Sequence, residues 1–258
     1  MNKFIDTATE LARESGDLLR DIFGQTRQVQ YKGEIDLVTD ADLRAEKLIA
    51  GGLHKRYPDH AVVSEEEESY SGTAAYTWFI DPLDGTTNYA HGFPWFCVSI
   101  ALNADDETVL GVVYHPMLNH LFQAEKGGGA HLNGERISVS NTHELGESLL
   151  ATGFAYSIHE KPEPAVSQFK NFLIKVRGIR RAGSAALDLC YVANGCFAGF
   201  WEMNLKPWDT AAGALIVREA GGTVTDFENR SFSPFSRTIL ATNGRVHKDM
   251  IEIIRSTR

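Results

Sequence analysis

The chain has 258 residues, of which 43% are hydrophobic and 23% charged, an ordinary globular composition that fills a large core without disulfide staples. Acidic residues outnumber basic ones by 34 to 25, giving a formal net charge of −9. That balance argues against a protein built to hold nucleic acid or to dock on anionic membranes, both of which call for surplus Lys and Arg. A small anionic substrate then needs local positive charge, which a metal can supply. At about 150 residues per domain, the length gives one large domain or two joined subdomains.

Cys97, Cys190 and Cys196 are odd in number, form no CxxC and lie in apolar stretches. They read as buried small hydrophobes in a reducing compartment. The N-terminal stretch carries acids early and lacks the apolar core of a signal peptide. No apolar run reaches the roughly eighteen residues that a membrane span requires. A cytoplasmic location is the simplest expectation.

In chain order, Phe4, Ala8, Leu11, Ala12, Leu18, Leu19 and Ile22 fall on one helical stripe, stopped by Gly24. Gln25–Ile35 is polar and reads as a loop or loose hairpin. A second helix begins near Asp40, with Gly51 and Gly52 interrupting it. Short strands follow at Ala61–Ser64, Tyr76–Ile80, Phe96–Leu102, Thr108–Tyr114 and His120–Glu125. The last three, separated by turn residues, predict an antiparallel sheet. His115 and His120 read as hairpin-turn residues, not ligands.

The second half alternates. Strands are expected at Ser148–Thr152, Gly178–Arg181, Phe197–Met203 and Thr238–Thr242, and helices at Ala165–Val176, Ala185–Ala193 and Thr210–Ala220, with a terminal helix after them. Gly221 and Gly222 end the Thr210 helix. The polar stretch His143–Glu147 marks a seam between an N-terminal α+β subdomain, residues 1–145, and a C-terminal α/β subdomain, residues 146–258.

The sharpest segment is FIDPLDGTTNYAHGFP, Phe79–Pro94. An apolar strand delivers Asp81, Pro82 stiffens the turn, and Asp84 follows three residues after Asp81. Two carboxylates at a strand end can turn toward one point as hard-cation ligands. Gly85 lets the backbone approach a ligand, and Thr86 and Thr87 open a helix whose free N–H groups suit phosphate. Other acids have plainer readings on their own. Asp209 reads as an N-cap, Asp42 with Thr39 as a capping box, and Glu65 as the start of a solvated acidic run, Glu65–Glu68.

DPLDGTTN resembles the signature of the inositol monophosphatase superfamily of Mg-dependent, lithium-sensitive phosphomonoesterases. KPWDTAAGALIVREAGG (Lys206–Gly222) resembles the family's second signature, and DLVTDAD (Asp36–Asp42), SEEEES (Ser64–Ser69) and GGGAHLNGERISVS (Gly127–Ser140) are similar to further motifs in order. The resemblance implies a layered αβαβα sandwich of the α+β class. It also implies that Asp42, Glu65, Asp81, Asp84 and Asp209 share one cleft. Carboxylates so close need divalent cations, and an all-oxygen set suits Mg²⁺ better than Zn²⁺.

By the resemblance, Glu65, Asp81 and the Leu83 carbonyl hold one Mg²⁺, and Asp81, Asp84 and Asp209 a second. Glu65 helps to place a third, so two or three ions bind. If the acidic run slips in register by one residue, Glu66 takes the place of Glu65. Asp42 and Thr86 orient and deprotonate the attacking water, and Glu65 belongs with them. The backbone of Gly85 and Thr86 holds the phosphate, with Asp84 and Asp209 beside it. Glu202 bonds a hydroxyl of the alcohol, next to the loop Gly183, Ser184 and Ala185, and Lys32 lies near the metals. No phosphoenzyme is expected. The short stretch between Glu65 and Asp81 leaves little to cover the substrate, which favours broad specificity.

The implied activity is inositol-1-monophosphatase, by direct attack of metal-activated water on phosphorus. Alternatives within the family are fructose-1,6-bisphosphatase, histidinol-phosphatase and phosphatases of NADP or 3′-phosphoadenosine nucleotides. A regulatory binding protein on this fold is an alternative of another class. The expected partner is a small phosphomonoester, with no nucleic acid and no membrane, and the resemblance implies a homodimer.

Overall fold

The computed structural model describes residues 2–23, 29–31, 37–66, 69–73 and 75–257. Lys32 and Asp36 lie outside them, as does most of the expected hairpin. In order, the elements are α1 (Asn2–Ile22), β1 (Val29–Tyr31), β2 (Leu37–Thr39), α2 (Asp40–Arg56), β3 (Ala61–Ser64), β4 (Tyr76–Asp84), α3 (Thr86–Ala90), β5 (Cys97–Ala104), β6 (Glu107–His115), β7 (His120–Glu125), β8 (Gly129–Leu132) and β9 (Glu135–Arg136). After the polar stretch come β10 (Leu149–Thr152), α4 (Ala165–Leu173), β11 (Gly178–Arg180), α5 (Ala185–Ala193), β12 (Gly199–Met203), α6 (Pro207–Glu219), β13 (Thr223–Thr225), β14 (Thr238–Thr242) and α7 (His247–Arg255).

Strands β3 to β9 form one sheet in sequence order, parallel only between β3 and β4. A second sheet runs β11-β10-β12-β14-β13, with β10 parallel to both its neighbours and the other pairs antiparallel. The short pair β1–β2 is antiparallel.

Side chains alternate across a strand, and here both faces of the first sheet are covered. Trp78, Ile80, Val98 and Ile100 point to one side, where Ala8, Leu11, Ala45 and Ile49 of α1 and α2 pack on them. Phe79, Ala101, Val113 and Phe122 point to the other, against Leu187 and Leu189 of α5 and Ala211 and Leu215 of α6. The same two helices reach Phe200 and Ala241 of the second sheet. Beyond that sheet, Phe172 of α4 and Met250, Ile251 and Ile254 of α7 close on Leu150, Trp201 and Leu240. The result is the expected αβαβα sandwich. With two buried faces, strands such as β4 read as continuous apolar runs instead of alternating ones.

Several boundaries differ from expectation. Helix α2 runs unbroken through Gly51 and Gly52, because at Gly52 the missing side chain makes room for Leu11. Helix α6 begins at Pro207, ahead of the expected Thr210, since proline suits the first turn. Helix α4 stops at Leu173, and the short strands β8, β9 and β13 carry too few residues for a periodic signal. His115 is not a turn residue: it ends β6, pairs with His120 in the ladder and is fully buried. Cys196 is exposed, unlike Cys97 and Cys190.

One contact between layers bears on the site. Gly111 of β6 faces Ala212 of α6, and a β-carbon at residue 111 would sit 2.8 Å from the Ala212 carbonyl oxygen and 2.9 Å from its α-carbon. Helix α6 thus lies directly on the sheet backbone.

Candidate active site

Strand β4 solves a geometric problem. Residues three apart on a regular strand face opposite ways. Here Asp81 pairs with Ser99 and Asp84 with Cys97, so three steps on β4 match two on β5. This bulge returns both carboxylates to one side. Pro82 fits the irregular position because it has no ladder donor to lose. Asp81 Oδ1 accepts from the Leu83 N–H at 3.0 Å, which shapes the turn. Gly85 follows with φ of 101°, and a β-carbon there would sit 2.8 Å from the Trp95 carbonyl oxygen. Both constraints demand glycine.

Asp84 is held by the start of α5, whose N-cap is Ser184. Its Oδ2 accepts from the Ser184 hydroxyl at 2.7 Å, from the Ala186 amide at 2.8 Å and from the Cys97 thiol at 3.8 Å. Asn88 of α3 ties the same regions together by donating to the carbonyls of Trp95 and Ala182 at 2.7 and 2.8 Å. Asp209 sits inside the first turn of α6, not at its cap, and its Oδ2 accepts from the Lys206 N–H at 2.7 Å. The Ser99 hydroxyl donates to the carbonyl of neighbouring Trp208 at 3.2 Å, which fixes α6 to β5. Thr86 donates to the Leu83 carbonyl at 3.0 Å and stands 3.4 Å from Asp42 Oδ2.

These elements surround a cleft of about 450 Å³ lined by Glu65, Asp81, Leu83, Asp84, Gly85, Thr86, Gly183, Ser184, Ala185, Glu202 and Asp209. Asp42 is buried behind Thr86. Glu65 faces the cleft, whereas the Glu66 amide is engaged by Glu46 at 3.0 Å. Glu65, Asp81, Asp84 and Asp209 thus line one cleft with Asp42 behind it, whereas the expected Lys32 lies outside the described residues. Residues the sequence reading missed also line the cleft: Gly153, Arg181 and Asp188. For Asp188 the signal was present, as a lone acid in the apolar helix AALDLCYVA.

Electrostatics show the strain of this gathering. Burial and then the fields of Glu65, Asp84, Asp209 and Asp42 hold the Asp81 carboxyl well above the carboxylate range. Burial raises Asp84 too, against its hydrogen bonds from Ser184 and the α5 backbone. Asp209 is pushed up to about 7 by burial, against its bond from Lys206, and Glu202 to about 8 by burial and then Asp209 and Asp84. Among the described residues, no three acids close on a common point as a finished coordination shell would. The donors are nonetheless all oxygen, they face one space, and each raises its neighbours' proton affinity. That set fits hard divalent cations.

The sequence profile of the inositol monophosphatase family matches residues 1–258. The inositol-1-monophosphatase of Synechocystis is 41% identical, across 100% of this chain and 90% of that protein. A putative Nus factor SuhB of Neisseria meningitidis serogroup B is 43% identical across 98% of both. The crystal structure of extragenic suppressor protein suhB from Bartonella henselae superposes with a TM-score of 0.93 at 40% identity, over 98% of each chain. The fold and site thus define a phosphoric monoester hydrolase. The chain belongs to the inositol monophosphatase family.

Proposed function

We propose that the protein is a Mg²⁺-dependent inositol-1-monophosphatase. The observation that carries this is the convergence of Glu65, Asp81, Asp84 and Asp209, from three separate segments, on one cleft beside the Gly85–Thr86 turn. Glu65, Asp81 and the Leu83 carbonyl would hold one ion, and Asp81, Asp84 and Asp209 another. Bound Mg²⁺ supplies charge neutralisation and activates water for attack on phosphorus.

The chain's own groups do the rest. The Gly85 and Thr86 amides hold the phosphate at the start of α3. Thr86 and Asp42 orient the attacking water, and Asp42 takes its proton. Glu202 bonds a hydroxyl of the departing alcohol, beside Gly183, Ser184 and Ala185. A phosphate-release screen over inositol 1-phosphate, fructose 1,6-bisphosphate, histidinol phosphate, NADP and 3′-phosphoadenosine 5′-phosphate tests the reading. The first is expected to lead, and a strong preference for either nucleotide overturns it. Millimolar Li⁺ is expected to inhibit at saturating Mg²⁺.

Among the described residues no helix is long and apolar enough to cross a membrane. A homodimer acting in the cytoplasm, without nucleic acid, completes the proposal; light scattering checks the mass. The Nus-factor names of relatives such as the one from Neisseria favour a second, regulatory role. An Asp84→Asn protein that keeps a regulatory phenotype while losing turnover would separate the two.

A further inference from the structure

We propose that Asp188 is a specificity residue that, with Glu202, holds neighbouring hydroxyls of the leaving alcohol. The inference rests on the phosphatase reading above and deepens it. Asp188 lies in the first half of α5, is 1% exposed and lines the cleft. Its Oδ1 is buried and accepts no hydrogen bond from the described residues. A buried carboxylate oxygen left unmatched is costly, and proteins rarely keep one without a use. The surrounding helix is otherwise apolar, so packing alone does not call for an acid there.

The position points to the alcohol and not to the phosphate. Asp188 feels Glu202 first among its charged neighbours, then Asp84, while the exposed Arg181 favours its ionised form. The Glu202 carboxylate in turn lies directly against Gly153. A β-carbon on Gly153 would overlap both Glu202 carboxylate oxygens. Two acids on one wall attract either an ammonium or hydroxyls. Burial disfavours the doubly ionised pair that an ammonium needs, and Arg181 already brings a cation to the rim. Hydroxyls donate to a carboxylate and accept from a carboxylic acid, so adjacent hydroxyls of a polyol satisfy the pair in either state.

The test uses Asp188→Leu, which removes the acceptor and keeps the branched heavy-atom skeleton, with Asp188→Asn as the conservative rescue. The KM for inositol 1-phosphate is measured against that for p-nitrophenyl phosphate, whose leaving group has no free hydroxyl. The ratio is expected to rise about tenfold in Asp188→Leu and to recover in part in Asp188→Asn. Asp188→Leu is also expected to melt at or above the wild-type temperature, because a buried unmatched acid has been replaced by an apolar group. An unchanged ratio, or an equal loss on both esters with a lowered melting temperature, overturns the inference. Calorimetric binding of inositol 1-phosphate with Ca²⁺ in place of Mg²⁺ separates it from the parent reading. Tenfold weaker binding to Asp188→Leu supports the inference, and if the wild type with Mg²⁺ releases no phosphate, the phosphatase assignment alone is overturned. A wild type that binds nothing sinks both.

Discussion

The two ends of the cleft are built differently. At the phosphate end, Asp81, Asp84, Gly85 and Thr86 come from one short segment, and Asp81, Asp84 and Asp209 each already accept a hydrogen bond from nearby backbone. At the alcohol end, Gly153, Asp188 and Glu202 come from three distant elements, and polar capacity is left unspent on Asp188. The first end is preorganised for a group that every substrate shares. The second keeps its hydrogen-bonding capacity for whichever alcohol satisfies it. On the proposed roles, the core of the chemistry sits on a local motif, and choice of substrate on long-range packing.

Breaking the first end has the largest expected effect. Asp84→Asn or Asp209→Asn is expected to lower kcat/KM by about a thousandfold, with circular dichroism unchanged. A variant retaining most Mg²⁺-dependent turnover would remove these residues from the reaction. At the second end the loss is smaller and selective. Gly153→Ala pushes the Glu202 carboxylate aside and is expected to raise the KM for inositol 1-phosphate by about tenfold, with a lesser effect on p-nitrophenyl phosphate. Equal effects on both esters would mean the two ends are not separable.

Stability against pH sharpens the same contrast. The folded-state values of about 7 for Asp209 and about 8 for Glu202 lie above those of free carboxyls. The folded chain thus holds protons that the unfolded chain has released. The stability they contribute is present below the unfolded pKa and is lost as pH rises from about 5 through 8. In metal-free protein the melting temperature is expected to fall over that window. Mg²⁺ is expected to restore more at pH 8 than at pH 5, through Asp209, while Glu202→Gln flattens the slope without metal. A flat profile without metal would contradict the crowding of the acids.

The smallest effect lies outside both ends. Burial lowers His115 to about 4, and neither ring nitrogen has a hydrogen-bond partner among the described residues. The unfolded chain binds the proton more readily, so this stability is present above about pH 6.5 and lost as pH falls toward 4. His115→Phe is expected to narrow the melting-temperature difference between pH 7 and pH 5 by a few degrees.

How much was legible follows from where each signal is stored. Asp81, Asp84 and Gly85 were readable because turn chemistry and ligand chemistry share one stretch of chain. Their common orientation was not, because the bulge shows itself only in the pairing with Ser99 and Cys97. Asp42, Glu65 and Asp209 each had a sufficient local reading as cap or surface acid, and only resemblance joined them. For Asp209 the local reading was half right: it accepts a backbone N–H at the helix start, but from inside the first turn. Strands β4 to β7 announced themselves by apolar runs between turns, whereas β8, β9 and β13 did not. Asp188 and Gly153 stayed hidden because their importance lies in what faces them across the fold.

Gly111 never touches the cleft, yet it acts as a spacer for it. Asp209 rides on α6, and α6 rests at Ala212 on the bare backbone of residue 111. A methyl group at that seat would have to lift the helix by some tenths of an ångström, and with it the carboxylate that faces Asp81 and Asp84. The gap between opposing acids, and with it the size of ion that the proposed site would favour, is thereby metered from the far side of the helix. Ion preference in this fold is open to tuning by residues that no inspection of the cleft wall would single out.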